Sequence, residues 1–313
     1  MAETISFAMA CKEEAVAAER TLTEQKALLS AFLKGSGSLR IGAEPEIELS
    51  TESSSIAKVL YLSFTKIYGA KCRFAYTRGM GFRNKTKYHV LIQDPDPILQ
   101  DLEVDFFSSV IPAFVQSEDE KASYLTGAFL SGGSVNDPSS SNYHLEIAVS
   151  DLVYAKKLMH LCNHLSSRHF GAKIASRRKE YTVYLKRADE IVDFIILMKA
   201  SECCLRFEDI RIGREYANIG NRLVNLDAAN MMKTSAASER QIKEIQYFES
   251  VGKTSLFSPK LRLLSSLRLQ HPDATLEELA EALSQELATT ISKSNVNHLF
   301  RSLHSLYLEE NPE

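Results

Sequence analysis

The sequence predicts an α+β protein in which a duplicated α/β domain with pseudo-twofold symmetry precedes an all-α domain. Two observations predict this fold: a motif that begins at Leu29 recurs at Leu125, and three helical patterns follow Ser258. The chain has 313 residues, of which 44% are hydrophobic and 25% charged, as is typical of a globular protein with two or three domains. The predicted domains are 1–115 (first repeat), 116–215 (second repeat), 216–250 (connecting helix) and 251–313 (all-α domain).

The two repeats share a motif and the order of the elements after it. The segment 29–39, LSAFLKGSGSL, aligns without a gap on 125–135, LTGAFLSGGSV. Apolar periodicity then predicts a strand, a helix, a Gly-Ala-Lys triplet and a basic strand in each repeat. These lie at 46–49, 56–68, 69–71 and up to 91 in the first repeat, and at 144–149, 152–165, 171–173 and 181–185 in the second. Duplication explains this shared order better than chance.

Small residues lie four positions apart in both motif helices. They are Ala31 and Gly35 in the first helix, and Gly127 and Ser131 in the second. Such residues let two helix backbones approach closely, because little or no side chain separates them. We therefore expect the motif helices to meet at the pseudo-twofold axis.

Positive charge is concentrated in two segments, although the formal net charge is -3. Residues 53–93 contain eight basic and no acidic side chains, and residues 152–187 contain nine basic and one acidic. Clustered basic side chains favour an extended polyanion such as double-stranded DNA, and a pair of solvated faces is the alternative interpretation. The predicted DNA contacts of the repeats are Arg73, Arg78, Arg83, Lys85, Lys87, Lys173, Arg177, Arg178, Lys179 and Lys186.

The last domain shows the pattern of three helices. The first starts at Ser258-Pro259 and continues to His271-Pro272; the second starts with capping-box spacing at Thr275 and Glu278, and we expect it to end near Gln285. The connector at 286–291 is longer than the usual helix-turn-helix turn of about three or four residues. The third helix begins with polar residues, as recognition helices do. The predicted DNA contacts of this domain are Thr275, Ser292, Lys293, Ser294, Asn295, Asn297, His298 and Arg301.

Charge alone favours a different interpretation of these three helices. Residues 251–313 contain six basic and eight acidic side chains, which is typical of a plain three-helix bundle with a solvated surface. The basic repeats would then have to supply the electrostatic attraction to DNA that this domain lacks.

The repeated motif resembles the LAGLIDADG motif of homing endonucleases, Leu-Ala-Gly-Phe-Ile-Asp-Ala-Asp-Gly-Ser-Phe. The resemblance implies that the second acid of each copy would hold the divalent metal that activates water. Ser36 and Gly132 occupy these two places, and neither offers the carboxylate that hard cations prefer. We therefore expect a pseudo-twofold LAGLIDADG-like scaffold with degenerate metal positions, no catalytic residue, no metal and no cofactor.

The chain as a whole resembles the WhiA family of bacterial regulators, which combine a degenerate LAGLIDADG-like repeat with a C-terminal helix-turn-helix domain. The matching segments are 127–138, 143–146, 221–225, 229–230, 233–234, 292–294 and 296–298. Leu299 and Ser302 stand where the family commonly has Arg and Lys. The resemblance implies a non-catalytic transcriptional regulator linked to cell division, chromosome segregation or sporulation. Its implied partners are double-stranded DNA and another transcription factor or RNA polymerase.

Other patterns argue against several classes of protein. No apolar run approaches the roughly 20 residues of a membrane span, and the N-terminal segment lacks the pattern of a secretion signal. The five cysteines form no C-x-x-C pair. His160 and His164 have the spacing of a metalloprotease site, but Leu161 replaces the general-base Glu of that motif. We expect a cytoplasmic, nucleoid-associated protein without a membrane partner.

Three alternatives remain open from the sequence. The chain would be an active LAGLIDADG nuclease, an RNA-directed maturase of the same fold, or a protein-interaction adaptor in cell division. The repeats would support DNA contacts or protein contacts. The oligomeric state is left open, and a monomer is compatible with the sequence.

Overall fold

The computed structural model describes residues 5–40, 44–79, 86–177 and 180–311. The chain divides into two compact units, Met1–Glu215 and Tyr216–Glu313. Each unit has its own hydrophobic core. No helix in the described part of the chain is both long enough and apolar enough to cross a membrane.

The first unit contains two copies of one element order, preceded by the helix α1 (Phe7–Ala17). The first copy comprises α2 (Leu22–Ser36), β1 (Gly37–Arg40), β2 (Glu46–Thr51), α3 (Ser54–Tyr68), β3 (Cys72–Arg78), β4 (Thr86–Gln93) and α4 (Asp96–Asp101). The second comprises α5 (Glu118–Gly132), β5 (Gly133–Val135), β6 (Leu145–Val149), α6 (Leu152–Asn163), β7 (Lys173–Arg177), β8 (Glu180–Leu185) and α7 (Ala188–Leu197). The predicted duplication is thus confirmed element by element.

Strand order and register are the same in both copies. Within the described residues, each copy forms an antiparallel sheet of four strands, ordered β1-β2-β4-β3 and β5-β6-β8-β7. Gly37 pairs with Leu49 in the first sheet, and Gly133 pairs with Ile147 in the second. Leu49 and Ile147 are therefore equivalent, which relates every paired residue of one sheet to a residue of the other.

The motif helices α2 and α5 pack against each other at the centre of the first unit, as their small residues predict. An added Cβ on Gly127 would lie 2.1 Å from the carbonyl oxygen of Leu28 and 3.0 Å from the Cβ of Ala31. On Gly35 it would lie 2.1 Å from Oγ of Ser131. Only glycine allows this close approach, so the crossing point is fixed by the sequence of the motif.

Capping boxes fix where the two motif helices begin. The hydroxyl of Thr21 accepts the N–H of Glu24, whose carboxylate accepts the N–H of Thr21; Ser117 and Glu120 repeat this arrangement in α5. The free N–H groups of the first helical turn are thereby satisfied. The central segments of both helices, residues 27–33 and 123–130, are buried on all sides because they are covered by the sheets and by each other.

The second unit is helical. It comprises α8 (Ser201–Ser250, from residue 216 onward), a short 3₁₀ turn at Thr254–Leu256, α9 (Pro259–Gln270), α10 (Leu276–Leu287) and α11 (Lys293–Glu310). Ile245 and Phe248 of α8 pack into the core that the three following helices form around Leu264, Leu283 and Phe300. The end of the connecting helix is therefore part of this core.

The predicted starts of the terminal helices are confirmed. Ser258 caps α9, and Thr275 forms a capping box with Glu278 at the start of α10. The second of these helices ends at Leu287, two residues after the predicted Gln285, because Ala288 adopts a left-handed conformation (φ 47°) that closes the helix.

Candidate nucleic-acid interface

The start of α11 presents a polar face to solvent. Helical periodicity places Lys293, Asn297 and Arg301 in one row, with Ser294 and His298 beside them, and all five are exposed. The predicted contacts on this helix are thus brought together by the structure, except that Asn295 lies further round the helix.

Buried residues on the other side of α11 fix which face points outward. Val296, Phe300 and Leu303 are buried at positions i, i+4 and i+7. Ser292 caps the helix, since its hydroxyl accepts the N–H of Asn295 at 3.3 Å. The hydroxyl proton of Ser292 remains available for an anion at this helix end.

The turn between α10 and α11 is held by one serine. The N–H of Ile291 donates to Oγ of Ser284 at 2.8 Å, and this hydroxyl donates to the carbonyl of Ala280 at 2.6 Å. Ile291 is buried, so the turn is anchored in the core as well. The angle between α10 and α11 is therefore set by both polar and apolar contacts.

Arg268 stabilises this unit from inside. Its side chain is 1% exposed and donates to the carbonyl oxygens of Pro272 at 3.2 Å and Ala274 at 2.6 Å. The guanidinium carbon lies 5.4 Å from the ring centre of Phe300 on α11. Burial lowers the pKa of Arg268. It ties the loop before α10 to the candidate recognition helix.

Thr275 and Lys293 also have intramolecular partners. The hydroxyl of Thr275 accepts the N–H of Glu278 at 3.2 Å. The backbone N–H of Thr275 donates to the Glu278 carboxylate at 2.7 Å and lowers its pKa. Lys293 Nζ lies 3.4 Å from Glu277 Oε2, with both side chains largely exposed. Such an exposed ion pair contributes little to the stability of the fold, so Lys293 can exchange Glu277 for a phosphate.

The first sheet has an outer face, opposite the helices, where basic and acidic residues alternate. The register of the strands places Arg40, Arg73 and Lys87 there together with Glu46 and Glu48. Arg73 forms an ion pair with Glu46, and Arg40 lies 2.6 Å from Glu48. The segment 53–93 is free of acids in the sequence, but its strands lie beside β2, which supplies two. The face is therefore less basic than the sequence predicts.

The outer face of the second sheet also carries both basic and acidic residues. Lys173, Glu146 and Glu180 all lie on it, with Glu146 and Lys173 on either side of Tyr184 and Glu180 at the other end of β8. Lys186 follows β8 and holds its ammonium group 5.1 Å from the ring centre of Tyr184, which also points outward. A histidine adjoins the equivalent glutamate in each sheet. His89 Nδ1 lies 2.7 Å from Glu48 in the first, and His144 Nε2 lies 3.0 Å from Glu146 in the second.

Of the other predicted contacts of the repeats, Arg78 is the one whose side chain the structure describes, and it lies away from these faces. Arg78 is exposed at the end of β3, but the register places it on the helix side of the sheet, opposite Arg73. Arg83, Lys85, Arg178 and Lys179 lie outside the described residues, as does the side chain of Arg177.

The two degenerate metal positions cannot take the place of the acids of an active nuclease. Oγ of Ser36 donates to the carbonyl of Phe32 at 3.1 Å. A Cβ on Gly132 would lie 2.4 Å from the carbonyl oxygen of Ala148, so β6 fills the space that a carboxylate would need. The residues present therefore do not fit the metal of this scaffold. No group of three or more metal-ligating side chains occurs among the residues that the structure describes, and the rings of His160 and His164 stack at 3.8 Å.

Comparison with known proteins decides the family. The model of the WhiA N-terminal LAGLIDADG-like domain matches residues 22–105, that of the WhiA LAGLIDADG-like domain 121–217, and that of the WhiA C-terminal HTH domain 221–307. A "Probable cell division protein WhiA" from Lactobacillus acidophilus is 37% identical over 308 residues, covering 96% of this chain and 97% of the relative. One from Geobacillus thermodenitrificans is 37% identical over 311 residues, covering 96% and 95%. The chain belongs to the WhiA family.

The fold of this WhiA-family chain matches a solved relative throughout. The crystal structure of full-length DUF199/WhiA from Thermatoga maritima aligns with a TM-score of 0.60 at 21% identity, covering 98% of this chain and 99% of that one. The family's HTH model begins at residue 221, inside α8. The packing of Ile245 and Phe248 into the terminal core agrees with this early start.

Sequence reasoning missed two features of this WhiA-family chain. One is the burial of Arg268, for which the sign in the sequence is its position four residues after Leu264 in the apolar pattern of α9. The other is the place of Glu46 and Glu48, which precede the basic segment 53–93 in the sequence and come to lie beside its strands only through the pairing of β2 with β4.

Proposed function

We propose that this chain is a non-catalytic, sequence-specific DNA-binding protein that regulates transcription of genes for cell division, chromosome segregation or sporulation. The exposed row of Lys293, Asn297 and Arg301 on the firmly held α11 carries this proposal. The physiological part rests on relatives named "Probable cell division protein WhiA". We place the protein in the cytoplasm, associated with the nucleoid.

In the proposed complex the N-terminal half of α11 lies in the major groove. Asn297 forms paired hydrogen bonds with an adenine, and Arg301 with a guanine. Ser292, Ser294 and Thr275 donate hydroxyl protons to phosphates, and Lys293 leaves Glu277 for the backbone. Glu277 and the other acids of α10 keep the domain from binding DNA strongly by charge alone, so base contacts dominate its preference.

The repeats take a supporting role in this proposal. Arg73, Lys87, Lys173 and Lys186 contact phosphates, or the repeats dock another transcription factor or RNA polymerase. Because acids adjoin the basic residues on both outer faces, we expect the phosphate contacts to be few. Ser36 and Gly132 provide no ligand for a catalytic metal, so the bound DNA is left intact.

Selection of binding sites from a random duplex library tests the proposal. The full-length chain should enrich one sequence, and the double variant Asn297→Ala/Arg301→Ala should bind it about 100-fold more weakly, since each base contact contributes about 1–3 kcal/mol. Ser305→Ala, an exposed change further along α11, serves as control and should bind as the wild type does. If the double variant binds the selected sequence with the affinity of the wild type and has the same melting temperature, the recognition surface does not lie on α11.

A further inference from the structure

A groove runs along one edge of the first sheet, between α3 and β3. It has a volume of about 510 Å³ and is lined by Ser54, Ser55, Lys58, Tyr61, Cys72 and Phe74. Phe74 is 48% exposed, and Tyr76, two residues further along β3, is 67% exposed. Exposed aromatic side chains next to an open groove are typical of a surface that binds a ligand or another protein.

The fold does not need these aromatic residues, as the second repeat shows. The register makes Ile174 the equivalent of Phe74 and Ser176 the equivalent of Tyr76. Counting from the helix caps, Met159 is the equivalent of Tyr61. The second copy thus builds the same strand and helix without an exposed aromatic residue, so those of the first copy serve another purpose.

The backbone of β3 is available for pairing. In the described part of the chain β3 pairs only with β4 and lies last in the strand order. The outward N–H and C=O groups of such an edge strand can accept a further strand. A peptide that pairs with an edge strand also places alternate side chains in the groove beside it.

Charge around the groove selects an acidic occupant. Lys58 lies in it, Lys71 precedes β3 and Arg78 ends it, and all three are exposed. None of the lining residues is acidic, and the sequence has no acid between residues 53 and 93. On the groove side, unlike the outer face, no strand residue supplies a glutamate to these cations in the described structure.

We infer that this groove binds an extended acidic segment of a partner protein. The segment adds to β3 as a further strand and places apolar side chains against Phe74 and Tyr76, while its carboxylates face Lys58 and Lys71. This binding site lies in the first unit, and the inference does not depend on whether α11 binds DNA.

Fluorescence anisotropy of the full-length chain with a labelled ten-residue peptide, in which aspartate alternates with leucine, tests the inference. We expect saturable binding, and at least tenfold weaker binding by Phe74→Ile/Tyr76→Ser, which installs the residues that the second repeat already tolerates. Lys58→Glu should weaken binding by a similar factor. The matched control Ile174→Val/Ser176→Ala in the second repeat should bind the peptide with an affinity within twofold of the wild type. The groove variant Phe74→Ile/Tyr76→Ser should bind DNA through α11 with an affinity within twofold of the wild type.

Hydrogen exchange locates the peptide. Saturating peptide should protect the amides of residues 72–78, and a peptide with lysine in place of aspartate should not. Absence of saturable binding, equal affinity of the groove variant, or unprotected β3 amides would overturn the inference. Exposed aromatic and basic residues also bind unpaired bases. The inference would therefore also be overturned if the chain bound single-stranded oligothymidine but not the acidic peptide, and if Phe74→Ile/Tyr76→Ser abolished this oligothymidine binding.

Discussion

The two repeats of the first unit share their core and differ at their edges. Both have a capping box, a close helix crossing, the same strand order and the same register. They differ at the metal positions, where one has Ser36 and the other Gly132, and at the outer strand, where one has exposed aromatic residues. Packing at the pseudo-twofold axis thus constrains both copies equally, whereas the metal positions and the exposed face of the outer strand have diverged.

The helix crossing gives the largest expected effect. Gly127→Ala places a methyl group 2.1 Å from a backbone carbonyl that cannot turn away, and should lower the free energy of unfolding by about 2–3 kcal/mol despite a better helix propensity. Gly35→Ala meets the side chain of Ser131 and should cost less. Denaturant unfolding measures both.

A compensating change sharpens this test. Adding Ser131→Gly to Gly35→Ala exchanges the small residue between the two helices and should restore most of the lost stability. If the double variant is no more stable than Gly35→Ala alone, the two motif positions do not face each other across the axis.

The metal positions should differ in what they tolerate. Gly132→Asp forces β6 away from the end of α5 and should cost about 2 kcal/mol, while Ser36→Asp, at a half-buried position, should cost less than about 1 kcal/mol. Thermal unfolding of the two variants checks the difference. Equal losses would mean that the space at Gly132 is not closed by the Ala148 carbonyl.

The two capping boxes should respond differently to loss of their carboxylates. Burial acts to raise the pKa of Glu24, but the N–H of Thr21 and the ammonium group of Lys199 outweigh it and hold the pKa below its usual value. The N–H of Ser117 lowers the pKa of Glu120, which is more exposed. Glu24→Gln should therefore cost about 1–2 kcal/mol, and Glu120→Gln less.

The pH dependence of this difference follows from the direction of the shifts. A carboxyl whose pKa is lower in the folded state stabilises the fold above its unfolded pKa of about 4.3, and the contribution is lost as the pH falls through the folded value. The stability gap between wild type and Glu24→Gln should be full at pH 6 and narrow below about pH 4. A gap that is unchanged at low pH would show that ionisation of Glu24 is not its source.

How far the sequence predicts the molecule depends on the range of each interaction. Caps at Ser258 and Thr275 and the repeated motif are local, and they predict the helix starts and the duplication. The burial of Arg268, the closed space at Gly132 and the place of Glu46 and Glu48 beside basic strands depend on pairing between distant segments. For the candidate site, spacing alone grouped Lys293, Asn297 and Arg301, because one helix carries all three.

The outer faces of the sheets give the smallest expected effect. Glu48 and Glu146 occupy equivalent positions there. If both faces contact phosphates, Glu48→Gln and Glu146→Gln should each strengthen DNA binding by about twofold, as expected when one negative charge is removed from beside the phosphate-binding side chains. Titrations at two salt concentrations measure the change, and a gain in only one repeat would show that a single face touches DNA.

The proposed function requires that the duplicated LAGLIDADG-like scaffold belongs to a protein that binds DNA without cleaving it. A single-turnover assay tests it most directly: the selected duplex, saturated with protein in Mg²⁺ or Mn²⁺, is analysed for binding and for strand breaks in the same sample. We expect complete binding with both strands intact, for the wild type and for Ser36→Asp alike. Metal-dependent nicking of either strand at the bound site by the wild type would contradict it.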